Sequence, residues 1–280
     1  GAPSQLYVGD QQVSSGNDIT YWTTDKSTGG LTKYEGNDDN WNVKYDPTTV
    51  TLTLSGATIQ GGTNTGSAPF GSGIYALCSS NQPVALTIEL IGTNTITGNY
   101  GIYVDAQQGE TVGTNASLLI RNSSDNGILE VSGSSYGIYV KSGTGDASLT
   151  IKNASVDAKT TQIYSSYAGV CVQSGSDATS SPQLSLAVNG GSLTTSASEG
   201  NDGIQFYVGS SEATGATTSL TVSENAIVDA RNGGISASRI SETLPTPTPT
   251  GNNSSGIVFD GSIGTVYGSV ALQDDLTIGA

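Results

Sequence analysis

The chain has 280 residues and a formal net charge of −15, with 9 Lys and Arg against 24 Asp and Glu. That balance argues against nucleic acid and anionic membrane surfaces as partners, since both need basic patches, and no stretch is long and apolar enough to insert across a bilayer. With 38 Gly, no Met, no His and 6% aromatic residues, the composition suits a stack of narrow rungs filled by Ile, Val, Leu and Ala.

The chain opens on Gly1-Ala2-Pro3 without a charged and apolar leader, which reads as a mature or trimmed start. Residues 1–48 hold both tryptophans, Trp22 and Trp41, and Tyr7, Tyr21, Tyr34 and Tyr45. They lack the repeat that fills the rest, so they are predicted to form a strand-containing cap of the same domain. Such a cap covers an end whose unpaired strands would otherwise aggregate. Its densest run of oxygen donors is Glu35-Gly36-Asn37-Asp38-Asp39-Asn40. Calcium takes carboxylate and carbonyl oxygens, so Asn37, Asp38 and Asp39 are the candidate metal ligands, although the spacing is not that of an EF-hand and a polar turn explains the run equally well. No other cofactor is expected.

Residues 49–280 carry a repeat. Val50-Thr51-Leu52-Thr53-Leu54 and Ala57-Thr58-Ile59 read as a first partial coil. Then a glycine-led phrase returns as Gly73-Ile74-Tyr75, Gly101-Ile102-Tyr103 and Gly137-Ile138-Tyr139, with looser copies at Gly169-Val170, Gly203-Ile204, Gly234-Ile235 and Gly256-Ile257. The interval averages roughly thirty residues, the range of solenoids and propellers. Between copies come two more elements in constant order. One is a triplet such as Leu86-Thr87-Ile88, Leu118-Leu119-Ile120 or Leu149-Thr150-Ile151. The other is a later strand such as Asn94-Thr95-Ile96, Ile128-Leu129-Glu130-Val131 or Ile227-Val228-Asp229-Ala230. Each unit is thus three short alternating strands parted by Gly, Asn, Ser and Asp, and none shows helical spacing.

Three strands and three corners per repeat describe one coil of a right-handed parallel β-helix, an all-β fold. A propeller blade is the rival, but blades are antiparallel meanders, and unequal repeat lengths would disrupt them. In a solenoid equivalent strands stack about 4.8 Å apart and insertions bulge outward. Cys78 and Cys171 then lie about three rungs apart, too far for a disulfide, and read as free buried thiols. Residues 241–255, with Leu244-Pro245-Thr246-Pro247-Thr248-Pro249-Thr250, resemble a linker in composition. Because Gly256-Ile257-Val258-Phe259 resumes the phrase, they read as a Pro- and Thr-rich corner loop. Val270 to Ile278 is still strand-like, which predicts further domains in the parent chain.

Leu6-Tyr7-Val8-Gly9, Tyr45-Asp46-Pro47 leading to Thr51-Leu52-Thr53-Leu54, the Gly-Ile-Tyr phrases and Leu86-Thr87-Ile88-Glu89-Leu90 with Asn94-Thr95-Ile96 together resemble the β-helix repeat proteins exported by Gram-positive gut bacteria. These are described as carbohydrate-binding-domain-containing proteins and are similar to pectate-lyase-like right-handed β-helices. The resemblance spans nearly the whole chain and implies a secreted or surface-attached location, but such repeats serve lyases, hydrolases, adhesins and stalks alike.

Enzymes of that superfamily use aspartates with an auxiliary His, or a calcium cluster with a basic residue, usually Arg. This chain has no His, and Arg121, Arg231 and Arg239 stand beside no acidic cluster in the sequence. Paired carboxylates about 5–10 Å apart would suit glycoside hydrolysis. Asp157 and Asp229 come closest, two rungs or about 9.6 Å apart with Ser132 and Thr194 in the neighbouring coils, and solvated outward residues would show the same spacing. No catalysis is therefore expected. Asn115-Ala116-Ser117 and Asn153-Ala154-Ser155 match glycosylation acceptors, as so Ser- and Asn-rich a chain does by chance.

If Ile74, Ile102 and Ile138 point inward, alternation sends Tyr75, Tyr103 and Tyr139 outward as a ladder on one face. Tyrosine rings stack on the apolar faces of sugars while the hydroxyl hydrogen-bonds, which makes these three the candidate carbohydrate-binding residues. Shielding of a sheet by cross-strand aromatic pairs is the alternative. The column is interrupted later by Cys171, Gln205, Ser236 and Val258, while Tyr100 and Tyr136 either widen the patch or fill a corner. The expected function is a monomeric, non-catalytic surface module that binds a polysaccharide or host glycan, or else an adhesin or spacer segment that binds none.

Overall fold

A computed structural model of the chain describes residues 1–62, 69–123, 126–164, 166–178, 181–240, 248–250, 257–261, 264–272 and 276–279. Every regular element among them is a strand. Parallel strands stack into a β-helix of about five turns, as the repeat predicts.

Three sheets run along its axis. The first holds the glycine phrases, with Ile74 paired to Ile102, then to Ile138, Val170, Ile204 and Ile235. The second stacks Leu86, Leu118, Leu149, Leu186 and Leu220. The third stacks Asn94, Leu129, Val156, Leu193 and Val228. All of these side chains are buried, and each aliphatic one contributes about 1.5–3 kcal/mol by leaving water. Asn94 heads its column in place of an aliphatic residue because the polar corner below needs it. Its side-chain oxygen accepts from the Ala57 amide at 2.8 Å, and its amide donates to the carbonyls of Ile91 and Gly92 at 3.2 Å.

The corner between the second and third sheets is built the same way in coil after coil. Gly56, Gly92, Asn126, Asn153, Gly190 and Asn225 occupy it with φ between 53° and 74°. Only Gly, and to a lesser degree Asn, enter that left-handed region cheaply.

Residues 1–48 close the N-terminal end. Gln5–Val8 pairs antiparallel with Ile74–Leu77 and covers the edge of the first sheet. Thr20–Thr24 pairs antiparallel with Leu31–Lys33 and with Val43–Asp46, which in turn pairs with Thr51–Ser55, the first strand of the second sheet. Trp22 and Tyr45 join Leu6, Val8, Leu52 and Ile74 in one continuous core, so the cap and the helix share an interior.

The C-terminal end departs from the expected pattern. Ile257–Gly261 runs antiparallel to Gly264–Leu272, and Ser236 is followed in the glycine-phrase column by Ala271 rather than Val258. Thr248–Thr250 also pairs antiparallel with Gly264–Leu272. The remainder of the Pro- and Thr-rich stretch, 241–247 and 251–255, and Gly256 lie outside the described residues. Both cysteines are free and buried.

Candidate functional site

Tyr75, Tyr103 and Tyr139 do stack on the outside of the first sheet, in register with one another. Their rings lie 5.2 and 4.7 Å apart between centroids, the second pair nearly parallel at 11°. The face they form is nevertheless closed. The three side chains are 0%, 4% and 7% exposed, and with Leu77, Ala168 and Cys171 they make a second apolar core outside the helix proper. The open ladder anticipated from alternation is thereby corrected.

Neighbouring segments close it. Tyr7, the cross-strand partner of Tyr75 in the antiparallel N-terminal strand, ends the ladder, with centroids 6.5 Å apart. Phe70 meets Tyr75 edge-on at 5.7 Å. Tyr100 and Tyr136, each one residue before a glycine phrase, fold over from the corner and contact Tyr103 and Tyr139 at 4.7 and 4.4 Å. The corner-filling role of Tyr100 and Tyr136 is thus what creates the second core. Burial raises the pKa of Tyr75, Tyr103, Tyr136 and Tyr139 well above the usual phenol range.

The next outward column of the same sheet is polar: Asp105, Lys141 and Gln173 stand in register after Leu77. Asp105 is 1% exposed. It accepts hydrogen bonds from the Tyr75 hydroxyl and the Gln107 amide, both at 2.9 Å, and Lys141 Nζ lies 3.6 Å from it. Burial pushes its carboxyl above the ordinary range, while Lys141 and these hydrogen bonds pull the other way. The same ammonium sits 5.6 Å from the Tyr103 ring and 6.0 Å from the Tyr139 ring, an arrangement that attracts cations to aromatic faces. The Tyr139 hydroxyl donates to Gln173 at 2.7 Å.

Aromatic surface does reach solvent, but from the covering layer. Phe70, Tyr100, Tyr136 and Tyr167 are partly exposed. Tyr100 and Tyr136 stack at 6.1 Å and 12°, and Tyr136 meets Tyr167 at 5.3 Å. Beside this row a depression of about 210 Å³ is bounded by Phe70, Tyr100, Tyr103, Asp105, Gln108 and Lys141. The hairpin of Gln107–Gln108 with Thr111–Val112 forms its rim. Gln107 is anchored across the corner to Ser176 and Asp177 at 2.6 and 3.0 Å, whereas Gln108 makes no side-chain hydrogen bond among the described residues.

The candidate acidic pair stands two rungs apart with Thr194 between Asp157 and Asp229, as expected, but Glu130, not Ser132, is the other neighbour of Asp157. Asp229 also has partners: Arg231 pairs with it at 2.6 Å and lies 4.8 Å from the Tyr267 ring. The hydrogen bond from Arg231 holds the Asp229 carboxyl below the ordinary range, which keeps it ionised and unsuited to act as a general acid. Glu130 and Asp157 are exposed and line none of the clefts described here.

In the cap, Asn37, Asp38 and Asp39 surround a cleft of about 200 Å³ that Tyr21, Gly36 and Trp41 complete. Asp38 accepts from the Tyr34 hydroxyl and from the Asn40 amide and side chain, at 3.1 and 2.9 Å for the latter two. These bonds, the tyrosine's first, hold its carboxyl below the ordinary range. Among the described residues no three His, Cys, Asp or Glu side chains gather closely enough to hold a metal ion.

Comparison with protein-family models, curated proteins and solved structures returns no match for this chain.

Proposed function

We propose that the protein is a non-catalytic carbohydrate-binding module of the bacterial cell exterior, and that the ligand lies on the partly exposed aromatic row of the first sheet. The observation that carries this reading is the depression between Phe70, Tyr100, Gln108 and Lys141, continued by Tyr136 and Tyr167. The Tyr100 and Tyr136 rings, 6.1 Å apart in adjacent coils, offer successive stacking surfaces to an extended sugar chain, and Gln108 and Lys141 offer hydrogen bonds at its edge. The resemblance to exported β-helix repeat proteins points the same way. Tyr75 and Tyr139 support the platform from below, while Tyr103 also lines the floor of the depression.

A glycan and polysaccharide array probed with the intact chain tests this. Tyr100→Leu and Gln108→Ala keep most of the packing while removing a ring face and an amide. Retention that both variants weaken is the expected result, with melting unchanged for Gln108→Ala and lowered, but still a single cooperative transition, for Tyr100→Leu. Retention indifferent to both, or none at all, would leave the spacer reading in its place. Tyr103→Ala is the wrong probe, because emptying a buried aromatic position costs about 3–5 kcal/mol and would report on folding.

A further inference from the structure

The cap carries a second cleft that the carbohydrate reading does not use. Tyr21 lies on Thr20–Thr24 and Trp41 just before Val43–Asp46, strands that pair antiparallel. Their rings stand 5.5 Å apart at 56°, forming two walls of the cavity of about 200 Å³. Gly36 leaves room for the Tyr34 ring to fold across the turn of the facing loop and reach Asp38. That loop brings Asp38, fixed by Tyr34 and Asn40, and Asp39, which is exposed and makes no hydrogen bond or ion pair among the described residues.

We propose that this cleft binds a small organic cation, an alkylammonium or quaternary ammonium group held between Tyr21 and Trp41 and neutralised by Asp38 and Asp39. Three observations support it independently of the first site. The Tyr21 ring already attracts an ammonium, since Lys44 Nζ lies 5.9 Å from its centroid, and the Trp41 ring is the stronger attractor of the two types. Residues 1–48 carry seven carboxylates against three lysines and no arginine, so the local field favours a cation over an anion. A hard metal ion would need six or more oxygens, and two of the walls here are aromatic rings. A neutral sugar could stack on the rings but would bring no charge to match the two exposed carboxylates.

Choline and its neutral carbon isostere dimethylbutanol are titrated against the intact chain, with tryptophan fluorescence and calorimetry as readouts. Calcium chloride and methyl glucoside serve as further probes. The expected result is saturable choline binding, weaker by about threefold to fivefold for the isostere. Trp41→Ala should abolish it and Asp39→Asn should weaken it, with melting of the exposed Asp39→Asn variant unchanged. Should Trp41→Ala not fold, Tyr21→Leu gives the same comparison. Equal binding of the isostere, saturable binding of calcium or methyl glucoside in place of choline, no saturable response, or choline binding that survives these substitutions would each overturn the proposal. None of these outcomes depends on Tyr100 or Gln108, so the two sites stand or fall separately.

Discussion

At the scale of single residues, Asp105 is the most constrained group in the protein. It is almost fully buried, yet it lies among Tyr75, Tyr103 and Lys141, each of which needs it for a hydrogen bond or counter-charge. Removing the ammonium leaves a carboxylate in an apolar setting, which costs more than the lost attraction itself. Lys141→Met should therefore destabilise the fold by about 2 kcal/mol at neutral pH, measured by urea unfolding, and adding Asp105→Asn should recover most of that loss. The pH dependence has a definite sign. A carboxyl whose folded pKa is raised binds a proton more readily in the native state than in the unfolded chain. Its penalty is thus present above the folded pKa and fades as the pH falls through it toward the ordinary value of 3.8. The deficit of Lys141→Met against the parent protein should shrink on acidification. A deficit that stays constant instead would mean that Lys141 acts by packing on the rings and not through Asp105.

At the scale of elements, the corners decide what alternation cannot. Asn153 holds the left-handed corner position at φ 53° with an exposed side chain, so Asn153→Gly should be nearly neutral. Asn153→Val should cost about 1–2 kcal/mol, since a branched side chain there meets the following carbonyl, and thermal denaturation of the pair gives the comparison. The inward columns were legible because Ile74, Ile102, Ile138 and Val170 recur behind the same glycine, and a period of two assigns them one face. The same signal is silent on three other matters. It gives a strand's face but not its direction, so Ile257–Gly261 looked like another parallel rung although it turns back on Gly264–Leu272. It survives a slip of two residues, which is why Glu130 and Ser132 were interchangeable beside Asp157. It says which side of a sheet Tyr103 occupies but not what lies above. That depends on corner conformation, and the only local sign was the tyrosine standing just before the glycine at Tyr100 and Tyr136. The Asp229 and Arg231 contact, by contrast, was present in the sequence as two residues on one face of one strand.

At the scale of the whole molecule, the protein has two cores side by side: an aliphatic one inside the coils and a tyrosine-rich one outside the first sheet. The aliphatic core holds only Tyr45 and Cys78 as titratable groups, and the chain has no histidine, whereas the tyrosine core is a larger reservoir of protons that only the folded state retains. An unfolded tyrosine ionises near pH 10. Tyr75, Tyr103, Tyr136 and Tyr139 are all raised above that by burial. Between the two values the unfolded chain releases protons that the native protein keeps, so stability falls as pH rises. Four such groups together remove about 5 kcal/mol per pH unit, against a total of about 5–15 kcal/mol for an ordinary domain. The excess of 15 negative charges adds repulsion in the same direction. Alkaline unfolding should therefore be abrupt. In a phenolate absorbance titration, phenols that stand in water should ionise first and reversibly. The buried set should appear later, in one step that coincides with loss of the β-sheet circular dichroism signal. If all 13 tyrosines instead titrated smoothly near pH 10 with the sheet signal intact, water would have free access to Tyr103 and Tyr139. The outer face would then be the open ladder that alternation alone suggests, and the ligand platform would move from Tyr100 and Tyr136 to the tyrosines beneath them.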